Sequence, residues 1–311
     1  MKIAIMGTGG VGGYYGGLLA QHGHEVIFIA RGAHMQAIKE NGLQVKSIHG
    51  DFNVNPAQAT DDTSQVGPVD LVVFCTKTYA TDEAARQTRP LVGSDTTVIS
   101  LQNGIDAADR IGAVVGAEYM LGGATWISST VEAPGVIKQV SQFRRVVVGE
   151  LDGQVTSRVK AIHKAFEETG ITAEISENIL KILWTKFVFI SAASSLGSLT
   201  RLPMGDYRSV PETRAMITSL MQEVQAVAQA QGVALDEDVV QKSLDFMDNA
   251  APHIKPSMQL DVTAGRRSEL ESMVGVIGRK GRELGVATPI ADTVYAALLP
   301  GDLKARSTHT S

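Results

Sequence analysis

Apolar residues fall in short blocks through the first part of the chain and take helical spacing after it. Residues 2–6 form an apolar run that stops at a cluster of glycines, and residues 10–22 read as the helix that follows. Residues 25–30, 69–75 and 96–100 are further strands, and their near-continuous apolar runs suit strands of a parallel sheet buried on both faces. A short helix is predicted over 106–112, and later strands over 145–149 and 171–175 flank a helix at 156–168. Alternation of strand and helix predicts a doubly wound sheet. The polar, alternating stretch 43–55 breaks the pattern and reads as an antiparallel excursion.

From residue 176 onward every periodic stretch is helical. One helix over 212–231 ends at Gly232, a residue suited to the left-handed position past a helix end. Asp236 reads as the cap of a helix running to 246, and Ser257, after Pro256, as the cap of a long helix reaching 284. Pro289 opens a last helix that Pro300-Gly301 should stop near 299, leaving a polar, frayed tail over 302–311. The change in pattern sets a domain boundary between 175 and 176. It gives an α/β chain with a doubly wound domain over 1–175 and an all-α domain over 176–311.

Bulk properties narrow the partners. A length of 311 residues suits two domains, and 44% hydrophobic with 20% charged residues is ordinary for a globular chain. A formal charge of −5 offers no basic field for nucleic acid or an anionic membrane, and neither is expected as a partner. No run of about 18 uninterrupted apolar residues suggests a membrane span. The apolar start leads into glycines and not into a cleavage site, so no secretion signal is expected. Cys75 is the single cysteine, which excludes an intrachain disulfide and fits a cytoplasmic setting. The seven histidines are scattered without metal-ligand spacing, so no metal is expected.

The sequence Gly7-Thr8-Gly9-Gly10-Val11-Gly12 fits G-x-G-x-x-G, follows a strand and opens a helix. That context makes it a Rossmann-type dinucleotide loop. Gly7 allows the tight turn, Gly9 the approach of a pyrophosphate, and Gly12 close helix–strand packing, while the helix N-terminus offers N–H groups to the anion. A site for NAD wants an acid about 20 residues later, at the end of the second strand. Here Ile29-Ala30-Arg31-Gly32 has no acid, and Arg31 is suited to a 2′-phosphate, which predicts NADP. Lys77 and Asn103 stand where two further strands should end, the edge at which such sheets bind ligands. Each also reads as an ordinary loop residue.

In the second half, Ile179, Ile182, Leu183, Lys186 and Ile190 share a helical stripe. A lysine on an apolar stripe is costly to desolvate, so it should have a partner or line a cleft, where it can donate a proton and polarise a carbonyl. On the 257–284 helix, Val262, Gly265, Glu269, Met273 and Val276 share a face, which makes Glu269 a candidate partner for Lys186. Ser257, with the first N–H groups of that helix, is a candidate contact for a substrate carboxylate.

Taken together, the glycine loop, Cys75-Thr76-Lys77-Thr78, Gln102-Asn103-Gly104, Leu183-Trp184-Thr185-Lys186-Phe187 and the stretch from Ser257-Met258 to Arg266-Arg267-Ser268-Glu269 resemble the ketopantoate reductase (2-dehydropantoate 2-reductase) family along nearly the whole chain. The resemblance implies a Rossmann domain and a helical domain with the active site between them. It implies NADPH-dependent reduction of a 2-oxo acid to a 2-hydroxy acid, and a place in pantothenate biosynthesis. It makes Lys186 the proton donor, assisted by Glu269. Ser257 becomes a substrate contact, Lys77 and Asn103 contacts of cofactor or substrate, and Ser128 a residue beside the cofactor. The family pattern has asparagines where this chain has Ile190, Ser194 and Met204, which points to a substrate bulkier or more apolar than ketopantoate, with Ser191 or Ser195 as replacement polar contacts. Two rival readings are a related dehydrogenase acting on other hydroxyacids or imines, and a non-catalytic NADP-binding sensor. The apolar surface of the helical domain serves either its own core or a homodimer face.

Overall fold

The computed structural model describes residues 1–307. The chain forms two compact units, one of Met1–Gln102 and Asp106–Ile179, the other of Asn103–Ile105 and the residues from Leu180 onward.

In the first unit, β1 (Lys2–Met6), α1 (Gly10–Gln21), β2 (Glu25–Ile29) and α2 (Gly32–Asn41) lead into three short strands, β3 (Leu43–Ser47), β4 (Phe52–Val54) and β5 (Gln58–Thr60). Then come β6 (Leu71–Phe74), α3 (Thr81–Thr88), β7 (Thr97–Ser100), α4 (Ala107–Val115) and β8 (Met120–Trp126). The unit closes with β9 (Ser129–Ala133), β10 (Val136–Gln139), β11 (Arg145–Gly149), α5 (Ser157–Glu167) and β12 (Thr172–Ile175). Eight strands make one sheet in the order β12-β11-β8-β7-β6-β1-β2-β5, parallel throughout except where β11 pairs antiparallel with β8. The apolar runs are explained by burial on both faces. Ile3 and Ile5 of β1 join Leu71 and Val73 of β6 in one core, while Ala4 and Met6 join Val72 and Phe74 in another. Full burial of each of these side chains larger than alanine contributes roughly 1.5–3 kcal/mol.

The chain runs outward from β1 to β2 and β5, then returns to add β6, β7 and β8 on the other side of β1. That reversal is a topological switch point, where the carboxyl ends of strands open a ligand-binding crevice. The excursion expected at 43–55 is the antiparallel pair β3–β4, and it belongs to a second sheet in the order β4-β3-β10-β9. Helix α1 packs between the two sheets. A Cβ at Gly16 would lie 2.6 Å from Ile5 on one side, and one at Gly13 would lie 2.6 Å from Ile137 on the other.

The second unit is helical: α6 (Ile179–Thr200), α7 (Met204–Arg208), α8 (Pro211–Ala230), α9 (Val239–Asn249), α10 (Ser257–Thr263), α11 (Val276–Leu284) and α12 (Pro289–Ser307). Gly232 stands just past α8 at φ +85°, as its left-handed role requires. By length and a mean hydropathy of 1.5, α6 is apolar enough to cross a membrane, although Lys181 and Lys186 interrupt its apolar run. It packs Trp184, Phe187, Val188 and Leu196 into the core of this unit.

Four helix boundaries differ from expectation. Asp236 does not cap α9; it pairs with Lys181 and Lys242, and Asp238 stands before the helix. Ser257 is the first residue of α10, not its cap, because Pro256 holds the cap position. The long helix over 257–284 is broken: α10 ends at Thr263, Gly265 takes φ +65°, and a widened π turn at Glu271–Gly275 leads into α11. Finally, Pro300-Gly301 does not stop α12, which runs to Ser307. One missing N–H is outweighed there by Asp302, whose buried carboxylate accepts from Ser268 and pairs with Arg306. The expected frayed tail is therefore helical as far as Ser307, and 308–311 lie outside the described residues.

Candidate functional site

The glycine loop leaves β1 with Gly7 at φ +96°, where a Cβ would lie 2.8 Å from the Thr76 backbone nitrogen. The N–H groups of Gly7 and Thr8 both donate to the Ile29 carbonyl, and the Thr8 hydroxyl donates to the same oxygen at 3.1 Å, which ties the loop to the end of β2. Gly9 caps α1 without a side chain, and no acid occupies the first turn. The first N–H groups of that helix are thus left to an anion.

Two observations test whether a dinucleotide fits. No atom lies within 4 Å of where a Cβ on Gly9 would stand, so the backbone is open to a ligand there. The Ser129 hydroxyl is buried without a hydrogen-bond partner among the described residues, and its carbonyl lies against Gly10. Open backbone N–H groups and an unused hydroxyl suit a pyrophosphate. The loop has no slack, since a Cβ at Gly12 would stand 2.3 Å from the Gly7 carbonyl oxygen and 2.8 Å from Ile5. Gly12→Ala should therefore cost about 1–3 kcal/mol of stability, as overpacking does. It should also weaken dinucleotide binding at least about tenfold by displacing Gly7. Thermal unfolding and a titration with reduced nicotinamide cofactor check both.

The other predicted cofactor residues of this unit lie near the same strand ends. Arg31 precedes α2; its Nη2 donates to Glu83 Oε1 at 2.7 Å and to Gln87 Oε1 at 3.0 Å, both on α3. Lys77 is half-buried in the extended residue just after β6. Ser128 is exposed between β8 and β9, its N–H donating to Ser141 Oγ. Cys75 beside the loop is no nucleophile, because burial pushes its thiol up to about 12. Ser129 and Glu83 are not among the residues expected from sequence, whereas Gln102 belongs to the Gln102-Asn103-Gly104 motif. Gln102 is buried, and its amide donates to the Thr76 carbonyl and the Thr81 hydroxyl, fixing the ends of β6 and β7 together.

Lys186 lies in the second unit, two turns into α6. Its Nζ donates to Asn103 Oδ1 at 2.9 Å. Burial of the ammonium lowers its pKa to about 8, and the carboxylate of Glu269 partly opposes that shift. Glu269 itself is buried, yet it gets there from the turn between α10 and the π turn and not from a continuous helical stripe. Lys186, Asn103 and Glu269 are thus brought together.

The remaining candidates divide. Ile190, one turn after Lys186, is half-buried and packs on the core of this unit; Ser194 is buried, and Ser257 is exposed. Met204 is a core residue. Ser191 and Ser195, expected as replacement polar contacts, use their hydroxyl protons within the helix. Both are fully buried, and their hydroxyls donate to the carbonyls of Phe187 and Ser191 one turn back. A cavity of about 410 Å³ in this unit is lined by Arg201, Arg266, Leu298 and Lys304 among others, none of them a predicted site residue. No cluster of three metal-ligating side chains occurs among the described residues.

Known proteins resemble the chain along nearly its whole length. Residues 3–153 match the model of the family described as ketopantoate reductase PanE/ApbA, and residues 178–300 match that of its C-terminal part. An oxidoreductase of Bacillus subtilis, YkpB, is 31% identical over 96% of this chain and 98% of its own. The crystal structure of a PanE/ApbA family ketopantoate reductase from Ralstonia eutropha superposes with a TM-score of 0.90 at 33% identity, covering 98% of this chain and all of that one. A D-mandelate dehydrogenase solved as a ternary structure with NADH and anilino(oxo)acetate gives 0.89 at 27% identity, covering 98% and 99%.

Proposed function

Since the chain belongs to the ketopantoate reductase family, we propose that it uses NADPH to reduce a 2-oxo acid whose side chain is bulkier or more apolar than that of ketopantoate. The family acts on small 2-oxo acids with a nicotinamide cofactor, as oxidoreductases of the CH–OH group. The observation that carries the reading is a desolvated lysine, Lys186, hydrogen-bonded to Asn103 with Glu269 in its field.

The pyrophosphate would rest on the N–H groups after Gly9, with Ser129 beside them and Lys77 and Ser128 at its flanks. Arg31 would take the 2′-phosphate. When bound, the nicotinamide supplies the hydride that the carbonyl carbon gains. Lys186 supplies the other half of the reduction. Its ammonium polarises the keto oxygen, stabilises the alkoxide as charge develops, and transfers a proton from Nζ to it. Asn103 accepts a hydrogen bond from the ammonium and so fixes its position for the substrate. Glu269 favours the charged form, and Ser257 would contact the substrate carboxylate.

Substrate choice rests on Ile190. One turn beyond the lysine, a hydrocarbon wall cannot pair a substrate hydroxyl, and the nearby serines Ser191 and Ser195 spend their protons within the helix. An aryl or branched-alkyl 2-oxo acid fits such a wall, in line with the anilino(oxo)acetate bound by the mandelate dehydrogenase. A panel of 2-oxo acids followed by NADPH oxidation should give phenyl- or alkyl-substituted substrates a kcat/KM above that of ketopantoate. The change Ile190→Asn should move the ratio toward ketopantoate about tenfold or more. Ketopantoate as the best substrate of the unaltered enzyme would overturn the assignment.

A further inference from the structure

We propose that Glu83 restrains the cofactor preference by neutralising Arg31, so that NADH is also used. This inference rests on the reading of Arg31 as the partner of the 2′-phosphate. Arg31 is the basic residue at the end of β2, and its guanidinium is already engaged: Nη2 meets Glu83 Oε1 at 2.7 Å and Gln87 Oε1 at 3.0 Å.

The pair is not there for stability. The two side chains are 61% and 55% exposed, and exposed ion pairs contribute little to folding. A carboxylate in the first turn of a helix does complement its dipole, but Asp82 stands in the same turn and points its charge at Arg110 instead. The consequence of Glu83 falls on the incoming ligand. A 2′-phosphate carries close to two negative charges at neutral pH. Arg31 and Glu83 together present no net charge to it, and the phosphate must approach a carboxylate to reach the guanidinium. A cofactor with a plain 2′-hydroxyl meets no such repulsion. Gln87, one turn further along α3, holds the same Nη2 and keeps the guanidinium in place when Glu83 is made neutral.

The test is the dissociation constant of NADPH and of NADH, read by cofactor fluorescence, for the unaltered protein and for Glu83→Gln, Arg31→Ala and the double variant. Glu83→Gln should tighten NADPH by about threefold to tenfold and leave NADH within about twofold. In the Arg31→Ala background that gain should vanish. If Arg31→Ala weakens NADPH selectively while Glu83→Gln leaves it unchanged or weaker, the role of Glu83 is overturned and the reading of Arg31 stands. If Arg31→Ala affects both cofactors equally, both fall together.

Discussion

Replacing Lys186 by alanine should lower kcat for 2-oxo acid reduction by about a thousandfold while leaving the dissociation constant of the reduced cofactor within about twofold. The first half follows from what the ammonium does. It is the desolvated cation that Asn103 orients, and it serves as both electrostatic partner and proton source for the alkoxide. Proton transfer alone is worth about 10²–10⁴, and a preorganised charge at the developing oxyanion adds to it. The second half follows because the proposed anchors of the cofactor are the glycine loop and Arg31, whereas Lys186 acts on the keto oxygen of the substrate. The variant should fold with some loss of stability, because relief from desolvating the ammonium is offset by loss of the positive charge that faces the buried Glu269 carboxylate. Lys186→Arg separates the two roles. A guanidinium keeps the charge but does not give up its proton near neutral pH, so turnover should stay low even where substrate binding is retained. Near-normal turnover in Lys186→Ala, measured by single-turnover oxidation of NADPH, would remove the lysine from the mechanism.

The cofactor half of the chain was the more legible in sequence, for a physical reason. A strand buried on both faces must be apolar at every position, and a loop packed as tightly as Gly7 to Gly12 tolerates no Cβ, so both leave compositional marks. Elements without that burden left none. Helix α2 buries only Ile38 and so shows no apolar stripe, and Gly122-Gly123 in β8 hide a strand behind glycines that the packing of Ile179 and Ile99 demands. In the helical unit the sequence pattern found Lys186 and Glu269 through charge on an apolar face. The pairing with Asn103 joins residues 83 positions apart, and no local periodicity encodes that. The apparent continuity of a helix over 257–284 fails for a related reason. Glu269 fits a helical repeat by number, yet Gly265 ends α10, and the charge is buried from a turn. Glu83 was invisible because a surface acid in a first helical turn is ordinary until its partner is known.

The pH dependence should carry the signature of the same lysine. With a pKa lowered to about 8, Lys186 loses its proton as pH rises through that value. For reduction the donor must be the ammonium, so kcat/KM should be level below pH 8 and fall about tenfold per unit above it. For oxidation of the 2-hydroxy acid the acceptor must be the neutral amine, so the same group should give a limb rising to its plateau near pH 8. Glu269 acts on this break with a defined sign. Its carboxylate favours the ammonium and holds the pKa up against burial. Glu269→Gln removes the charge and should move the break lower by about one unit. Reduction by the variant should then be about fivefold slower at pH 8 and return toward the parent rate at pH 6, where both lysines are protonated. A merely structural defect would depress the whole profile without moving it. An unmoved break in Glu269→Gln would therefore place the influence of Glu269 elsewhere than on the charge of Lys186, even if the variant were slow.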